Sequence, residues 1–318
     1  MSKLAAVSLD VDGVRHYHAI HGLPGAADVA CDPPVERGVR RFLDLCETLD
    51  IKATLFVVSQ DLDPSPSGDE LRALLARAAR DGHEIASHSH THAYDLSRKA
   101  PAAIEADLLR SVDALTAVTG KRPMGFRAPG YNLTEELLDA VEKAGFSYDS
   151  SVMPSPWYWG ARALAIGAHR DMGTPSSSRV GRARAFATPR APSRPRQGCL
   201  HKRARARIEG RALIEVPIAT MGLGVPWLGT TLALQPLPLA AIATALALSS
   251  SAPCVLELHA IDLCDADDGF HPALVRLQRE LIVPQKTKML RLQSTLRMMS
   301  QARDMVTVEE IATRTSLS

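Results

Sequence analysis

Chemistry in this sequence concentrates first in the run GHEIASHSHTH, residues 82–92, where His88, His90 and His92 stand at alternate positions. On a helix, His88 and His92 share one face and His90 points elsewhere. On an extended strand, all three line one side. The first arrangement makes a two-histidine metal site that needs a carboxylate from elsewhere; the second makes a multi-histidine cluster suited to two ions. Both geometries are open on spacing alone.

A carboxylate source lies at the start of the chain, in Asp10-Val11-Asp12-Gly13. Being two apart, Asp10 and Asp12 face one side if the first strand persists that far, and Gly13 permits a tight turn. Two such carboxylates can divide their work, one binding a cation and the other accepting a proton, because the cation keeps its neighbour ionised. His88 and His92 with one of these aspartates form a two-histidine, one-carboxylate site with room for water and substrate. His83 and His90 read as structural, one preceding a strand and the other pointing away from a helical metal face. His16, His18 and His21 read as a substrate-side loop.

Further along, Phe126-Arg127-Ala128-Pro129-Gly130-Tyr131-Asn132 offers an arginine that can orient a carboxylate through paired hydrogen bonds. Its Pro-Gly turn can aim a backbone N–H at a developing oxyanion. Tyr148-Asp149-Ser150-Ser151 supplies another carboxylate, and Leu256-Glu257-Leu258-His259 ends an apolar strand on a histidine. A histidine there, held by an aspartate, is suited to protonate a leaving amine near neutral pH.

These residues must be positioned by a regular frame. Apolar strand-like runs at residues 4–9, 53–58, 84–86 and 124–126 alternate with helical stretches at 35–49, 70–79, 101–118 and 135–144, the signature of a β/α architecture with a mostly parallel sheet. Pro101 suits a first helical turn, and Thr134 and Gly145 bracket a helix as caps. The rhythm breaks after Ser150 and resumes with strands at 213–216 and 255–258 and helices at 239–248, 272–282 and 285–302, followed by a strand at 305–308 and a short helical tail. The candidate residues then fall at the C-terminal ends of strands, where barrels of this class collect their chemistry. The histidine run begins where the third strand ends. One catalytic domain over residues 1–318 is expected, with 179–211 an insertion and 285–318 a C-terminal helical tail.

Bulk properties narrow the function classes. With 318 residues, 46% of them hydrophobic, the chain can bury a large core, and a net charge of +2 gives no case for nucleic acid. Residues 179–211 hold ten arginines and Lys202 against the single acid Glu209, which reads as a solvated loop. Cys31, Cys46, Cys199, Cys254 and Cys264 lack metal-knuckle spacing and read as free thiols in a reducing compartment. The uncharged stretch between Val216 and Leu256 is interrupted by five prolines and falls short of the roughly 20 residues that span a bilayer. The N-terminus lacks a signal peptide's long apolar region. The expected location is cytoplasmic, with no transmembrane segment, and peripheral contact with a membrane surface is compatible.

Taken in order, Asp10-Val11-Asp12-Gly13, His88-Ser89-His90-Thr91-His92, Arg127-Ala128-Pro129-Gly130-Tyr131, Asp149-Ser150-Ser151 and Leu258-His259 resemble the five motifs of the polysaccharide deacetylases, carbohydrate esterase family four. The resemblance implies an α/β fold, a single distorted (β/α) barrel, and removal of N-acetyl or O-acetyl groups from sugars with one divalent metal ion, zinc foremost and cobalt or nickel as substitutes; for this chain it implies hydrolysis of an amide-linked acyl group. It implies Asp12, His88 and His92 as ligands and Asp10 as general base oriented by Arg127. It also implies that the Gly130 N–H serves the oxyanion and that His259, tuned by Asp149, is the acid. The family's usual first motif has adjacent aspartates, whereas Val11 separates them here. That form resembles a branch with amidohydrolases of non-polymeric substrates and deformylases of lipid-linked aminosugars. The setting of the histidine run favours its helical form, with His90 facing away.

Two alternatives stand beside this reading. A binuclear metallohydrolase of the metallo-β-lactamase type is suggested by the histidine spacing, but His92 occupies the place of the aspartate such a site requires. A non-catalytic protein on the same fold, binding a carbohydrate or a lipid phosphate, would make use of the arginine-rich segment.

Overall fold

Along β1 (Leu4–Val11) successive side chains enter two different cores. Ala5, Val7, Leu9 and Val11 join the layer that includes Val39, Phe42 and Leu71, whereas Ala6 joins Phe56, Ala86, Tyr148 and Val255 in the interior of the sheet's curve. This is the period-two alternation of an extended chain with both faces covered. The same alternation places Ser8 and Asp10 on the interior side, above Ala6.

The computed structural model describes residues 3–23, 32–171, 189–197, 199–203 and 210–316. After β1 come α1 (Val14–His21), α2 (Val39–Leu49), β2 (Thr54–Val57), α3 (Pro66–Arg80), β3 (Glu84–Ser87), α4 (Pro101–Thr119), β4 (Gly125–Phe126), α5 (Glu135–Lys143), β5 (Tyr148–Asp149) and α6 (Pro156–Asp171). They are followed by β6 (Pro195–Arg196), β7 (Cys199–Arg203), β8 (Ile214–Glu215), α7 (Gly229–Leu234), α8 (Leu237–Leu248) and β9 (Cys254–His259). The chain then forms α9 (Pro272–Leu277), α10 (Gln285–Ala302), β10 (Asp304–Met305) and α11 (Val308–Ser316).

All strands of the main sheet run parallel, in the order β10, β1, β2, β3, β4, β5, β8, with β9 on the other edge of β1. Beyond β8, Val216 N–H donates to Asp149 O at 2.8 Å and Ala219 N–H to Val255 O at 2.9 Å, carrying the chain across towards β9. The result is an α/β half-barrel of parallel strands with helices packed outside, the distorted barrel expected. Its interior is layered. Phe56, Ala86, Tyr148 and Val255 form an apolar floor, and the next interior positions up β3 and β9 are His88 and Glu257.

Local chemistry explains the element ends. Ser65 caps α3 by accepting from Gly68 N–H at 3.0 Å, and Thr134 caps α5 by accepting from Leu137 N–H at 3.2 Å. Expected and observed boundaries agree closely for α4, α5 and α10, while the helix expected over 35–49 divides into a π-helical turn, Pro34–Gly38, and α2. The segment expected as one helix over 272–282 is broken at Gln278. There the buried Lys288 ammonium donates to the carbonyl oxygens of Glu280 and Cys264, drawing Glu280 into a separate 3-10 turn.

Part of the arginine-rich segment is ordered as the β6–β7 antiparallel pair. Residues 179–188, 198 and 204–209 of that segment lie outside the described residues, as does Cys31. Arg211 departs from the expectation of a solvated run: it is buried and pairs with Glu135, Asp139 and Glu142 on α5. Cys46, Cys254 and Cys264 are buried free thiols, with burial pushing Cys46 and Cys264 up to about 12. No helix among the described residues is long and apolar enough to cross a membrane.

Candidate active site

The histidine run is not a helix. His88 continues β3, its N–H donating to Val57 O at 2.9 Å, and the chain then turns through left-handed Ser89 (φ 68°) and His92 (φ 53°). The N–H groups of His90 and Thr91 go to the carboxylate of Asp107 on α4, at 2.8 and 3.2 Å, and the Thr91 hydroxyl donates to it at 2.6 Å. Ser89 Oγ accepts the His92 N–H at 3.0 Å. Hydrogen bonds that a helix would have satisfied internally are met by side chains instead.

The turn still brings His88 and His92 together, their ring centroids 4.9 Å apart, while His90 points back to Ser59, Nδ1 to Oγ 2.9 Å. His83 is also structural in setting, its Nδ1 accepting Ala53 N–H at 3.1 Å. His16, His18 and His21 lie on α1 rather than in a loop, with His16 and His18 buried. The first N–H groups of α1 are satisfied from afar: Val14 N–H donates to Asp32 and Gly13 N–H to Asp61.

Asp12 completes a three-residue group. Its Oδ1 lies 3.6 Å from His88 Nε2 and 3.5 Å from His92 Nε2. Ligands sharing one tetrahedral zinc ion sit about 3.4 Å apart, so these donor atoms fit a common cation. Their chemistry fits as well. Asp12 Oδ1 is buried with no hydrogen-bond partner, and burial pushes the Asp12 carboxyl up to about 8, a cost that a bound cation would remove. Burial pushes His88 down to about 4 and His92 well below its usual value, favouring the neutral imidazole that ligates metals. His88 Nδ1 donates to Arg127 O at 2.8 Å, which directs Nε2 towards Asp12.

Asp10 and His259 are register partners on β1 and β9. Burial works against ionising Asp10, but the Arg127 guanidinium, with help from His88 and His259, holds its carboxyl below the ordinary range. Arg127 is fully buried: Nη1 reaches Asp10 Oδ1 and Ser8 Oγ, Nε and Nη2 reach the carbonyl and hydroxyl of Ser150, and its carbon centre lies 3.9 Å from the Phe56 ring centroid. With Oδ1 held in this way, Asp10 Oδ2 is left buried and without a hydrogen-bond partner.

Asp149, expected beside His259, has its recorded contacts on the Ser151 turn instead. Its Oδ1 accepts from Ser151 Oγ at 2.6 Å, and Ser151 Oγ in turn accepts Ala128 N–H at 2.7 Å, so Asp149 braces the Arg127 to Tyr131 turn. It also faces Glu215, and burial raises both carboxyls. The partner of His259 is Glu257, whose Oε1 is 2.8 Å from Nδ1. Burial opposes a charged His259, yet Glu257, followed by Asp10 and Asp12, raises its pKa well above the usual value. The signal for Glu257 was present, since a glutamate two residues before a histidine on an apolar strand shares its face.

Gly130 holds φ 59° at the turn, and a Cβ there would meet the Tyr94 ring at 2.6 Å. Asp10, Asp12, His88, His92, Gly130 and His259 line one cavity of about 380 Å³. The arrangement can hold a cation, take a proton at Asp10 and give one at His259.

Residues 31–148 match the family model described as polysaccharide deacetylase. They include His88, His92, Arg127 and Gly130, while Asp10, Asp12 and His259 lie outside the match. The chain is 30% identical over 163 residues to a peptidoglycan deacetylase of Helicobacter pylori, covering 49% of this chain and 52% of that protein. To a chitooligosaccharide deacetylase of a Bradyrhizobium species it is 32% identical over 150 residues, covering 46% and 61%. To the peptidoglycan deacetylase-like protein FGM2 of Gibberella zeae it is 32% identical over 117 residues, covering 36% and 32%. The chain thus spans between about a third and three fifths of these curated relatives. Among solved structures, a putative polysaccharide deacetylase from Mycobacterium smegmatis superposes with a TM-score of 0.59 at 17% identity, covering 100% of this chain and 92% of that one. Puue allantoinase superposes at 0.57 and 14% identity, covering 98% and 90%, which shows a shared fold alone. Residues 31–148 are thus similar to the polysaccharide deacetylases in sequence, and the chain shares its fold with a solved structure of that description.

Proposed function

We propose that this protein is a metal-dependent N-deacylase that hydrolyses an amide-linked acyl group on an amino sugar or glycoconjugate. One observation carries the reading: the Asp12, His88 and His92 donor group, the Asp10 base and the His259 acid face a single cavity. The relatives' names, peptidoglycan deacetylase and chitooligosaccharide deacetylase, support an N-acetylated sugar as the substrate class.

Asp12, His88 and His92 would hold the ion, zinc foremost, which when bound polarises the acyl carbonyl and makes water more acidic. Asp10 Oδ2 takes the proton of the attacking water, and Arg127 keeps Asp10 ionised for that task. The Gly130 N–H is assigned to the developing negative charge on the carbonyl oxygen. His259, with Nδ1 against Glu257, gives a proton from Nε2 to the departing nitrogen, so that acid and amine leave with protons balanced.

The test is acetate or formate release from N-acetylated and N-formylated sugars presented free, polymeric and lipid-linked. Release is expected to stop with chelator, return with zinc or cobalt, and fall by about 100-fold or more in Asp10→Asn. Turnover indifferent to both chelator and Asp10→Asn contradicts the reading.

A further inference from the structure

One wall of the cavity comes from α6, outside the segment matched to the family, and it carries a cation that the mechanism does not use. Arg162 lines the cavity, its guanidinium carbon 5.5 Å from the Tyr94 ring centroid, 6.0 Å from that of Tyr158 and 5.7 Å from that of Trp159. Its Nη1 is spent on protein, donating to Gly130 O at 2.8 Å and to Tyr158 Oη at 3.0 Å. Its Nε and Nη2 are buried and have no hydrogen-bond partner. Among the described residues no carboxylate pairs with it.

Those two nitrogens form the side edge of the guanidinium, the fork whose parallel N–H groups match the two oxygens of a carboxylate or phosphate. A buried charge whose fork lacks acceptors costs free energy, which an acceptor supplied by a ligand recovers. Nη1, fixed by Gly130 and Tyr158, sets the plane of that fork. Nη2 also lies 2.5 Å from where a Gly130 Cβ would be, so the fork is next to the turn assigned to the oxyanion.

We infer that Arg162 is a specificity residue that binds an anionic substituent, carboxylate or phosphate, on the N-acylated substrate. The inference rests on the deacylase reading of the same cavity and adds the charge of the substrate to it.

Four probes separate the outcomes: N-acetylglucosamine, its 1-phosphate, its 6-phosphate, and the corresponding uronic acid. Acetate release and equilibrium binding are measured on the zinc-loaded protein, with Arg162→Gln and Arg162→Lys alongside. At least one anionic probe is expected to exceed the neutral sugar by about 10-fold in kcat/KM, mainly through KM. Arg162→Gln is expected to lower that probe by about 30-fold and the neutral sugar by a few-fold, with Arg162→Lys between because it keeps charge without the fork. Phosphate against uronic acid then identifies the anion. The inference is overturned if no anionic probe is turned over faster or bound more tightly than the neutral sugar, or if Arg162→Gln lowers all four in the same proportion. Arg162-dependent anion binding without acetate release from any probe would leave the anion site standing, and the deacylase reading would then fall only if the formylated, polymeric and lipid-linked substrates are inert as well. Should Arg162→Gln fail to fold, the wild-type comparison of charged with neutral probes decides alone.

Discussion

Glu257 Oε1 lies 2.8 Å from Nδ1 of His259, two residues further along β9, and this pair assigns the acid's partner to its own strand. Glu257→Gln is expected to lower kcat by about 10-fold to 100-fold, while Asp149→Asn lowers it less and costs stability instead, because Asp149 braces Ser151 and the Ala128 N–H. Steady-state kinetics with parallel thermal melts checks this. A larger kcat loss in Asp149→Asn than in Glu257→Gln would return the role to Asp149.

The Asp107 carboxylate accepts three hydrogen bonds from the turn that carries His88 and His92. Asp107→Ala leaves the His90 and Thr91 N–H groups without that acceptor and is expected to cost about 2 to 4 kcal/mol of stability. It should also weaken zinc binding although no ligand changes, by about 10-fold or more. Urea unfolding and zinc titration measure both; unchanged zinc affinity would show that the turn holds its shape without Asp107.

Glu84 is buried beneath the site, accepting from Thr54 Oγ1, Tyr148 Oη and Glu309 N–H, and burial pushes its carboxyl up to about 7 from 4.5. The folded state therefore binds this proton more tightly than the unfolded state does. Stability from Glu84 is fully present below about pH 4.5 and is lost as pH rises through 7, by up to about 3 kcal/mol. Urea midpoints at pH 5 and pH 8 should differ less in Glu84→Gln than in wild type. Equal slopes with pH would remove Glu84 as the cause.

Much of the frame was legible because strand and helix periods differ and because Thr134, Pro101 and Gly145 mark ends locally. What was missed was set by distant partners. α1 has Gly13 at its cap position, with no side chain to signal a start, and its first N–H groups are satisfied by Asp32 and Asp61, 18 and 48 residues away. The histidine run read as helical because His88 and His92 are four apart, yet their meeting depends on Asp107 and on two left-handed residues that spacing does not reveal. Asp10, Asp12, His88, His92, Arg127, Gly130 and His259 are all candidates of the sequence, and the fold brings them to one place. Glu257 carries a signal only through its place two residues before His259 on one strand face, and Arg162 lies on a helix the sequence pattern does not disclose.

The proposed chemistry depends on one catalytic ion held by Asp12, His88 and His92. Zinc titration into metal-free protein, with acyl release followed in the same samples, tests it most directly. The expected result is one ion per chain, activity rising in step with occupancy, and loss of both in His92→Ala. Two ions per chain of similar affinity, or a catalytic ion that still binds when Asp12, His88 and His92 are all replaced by alanine, would contradict it.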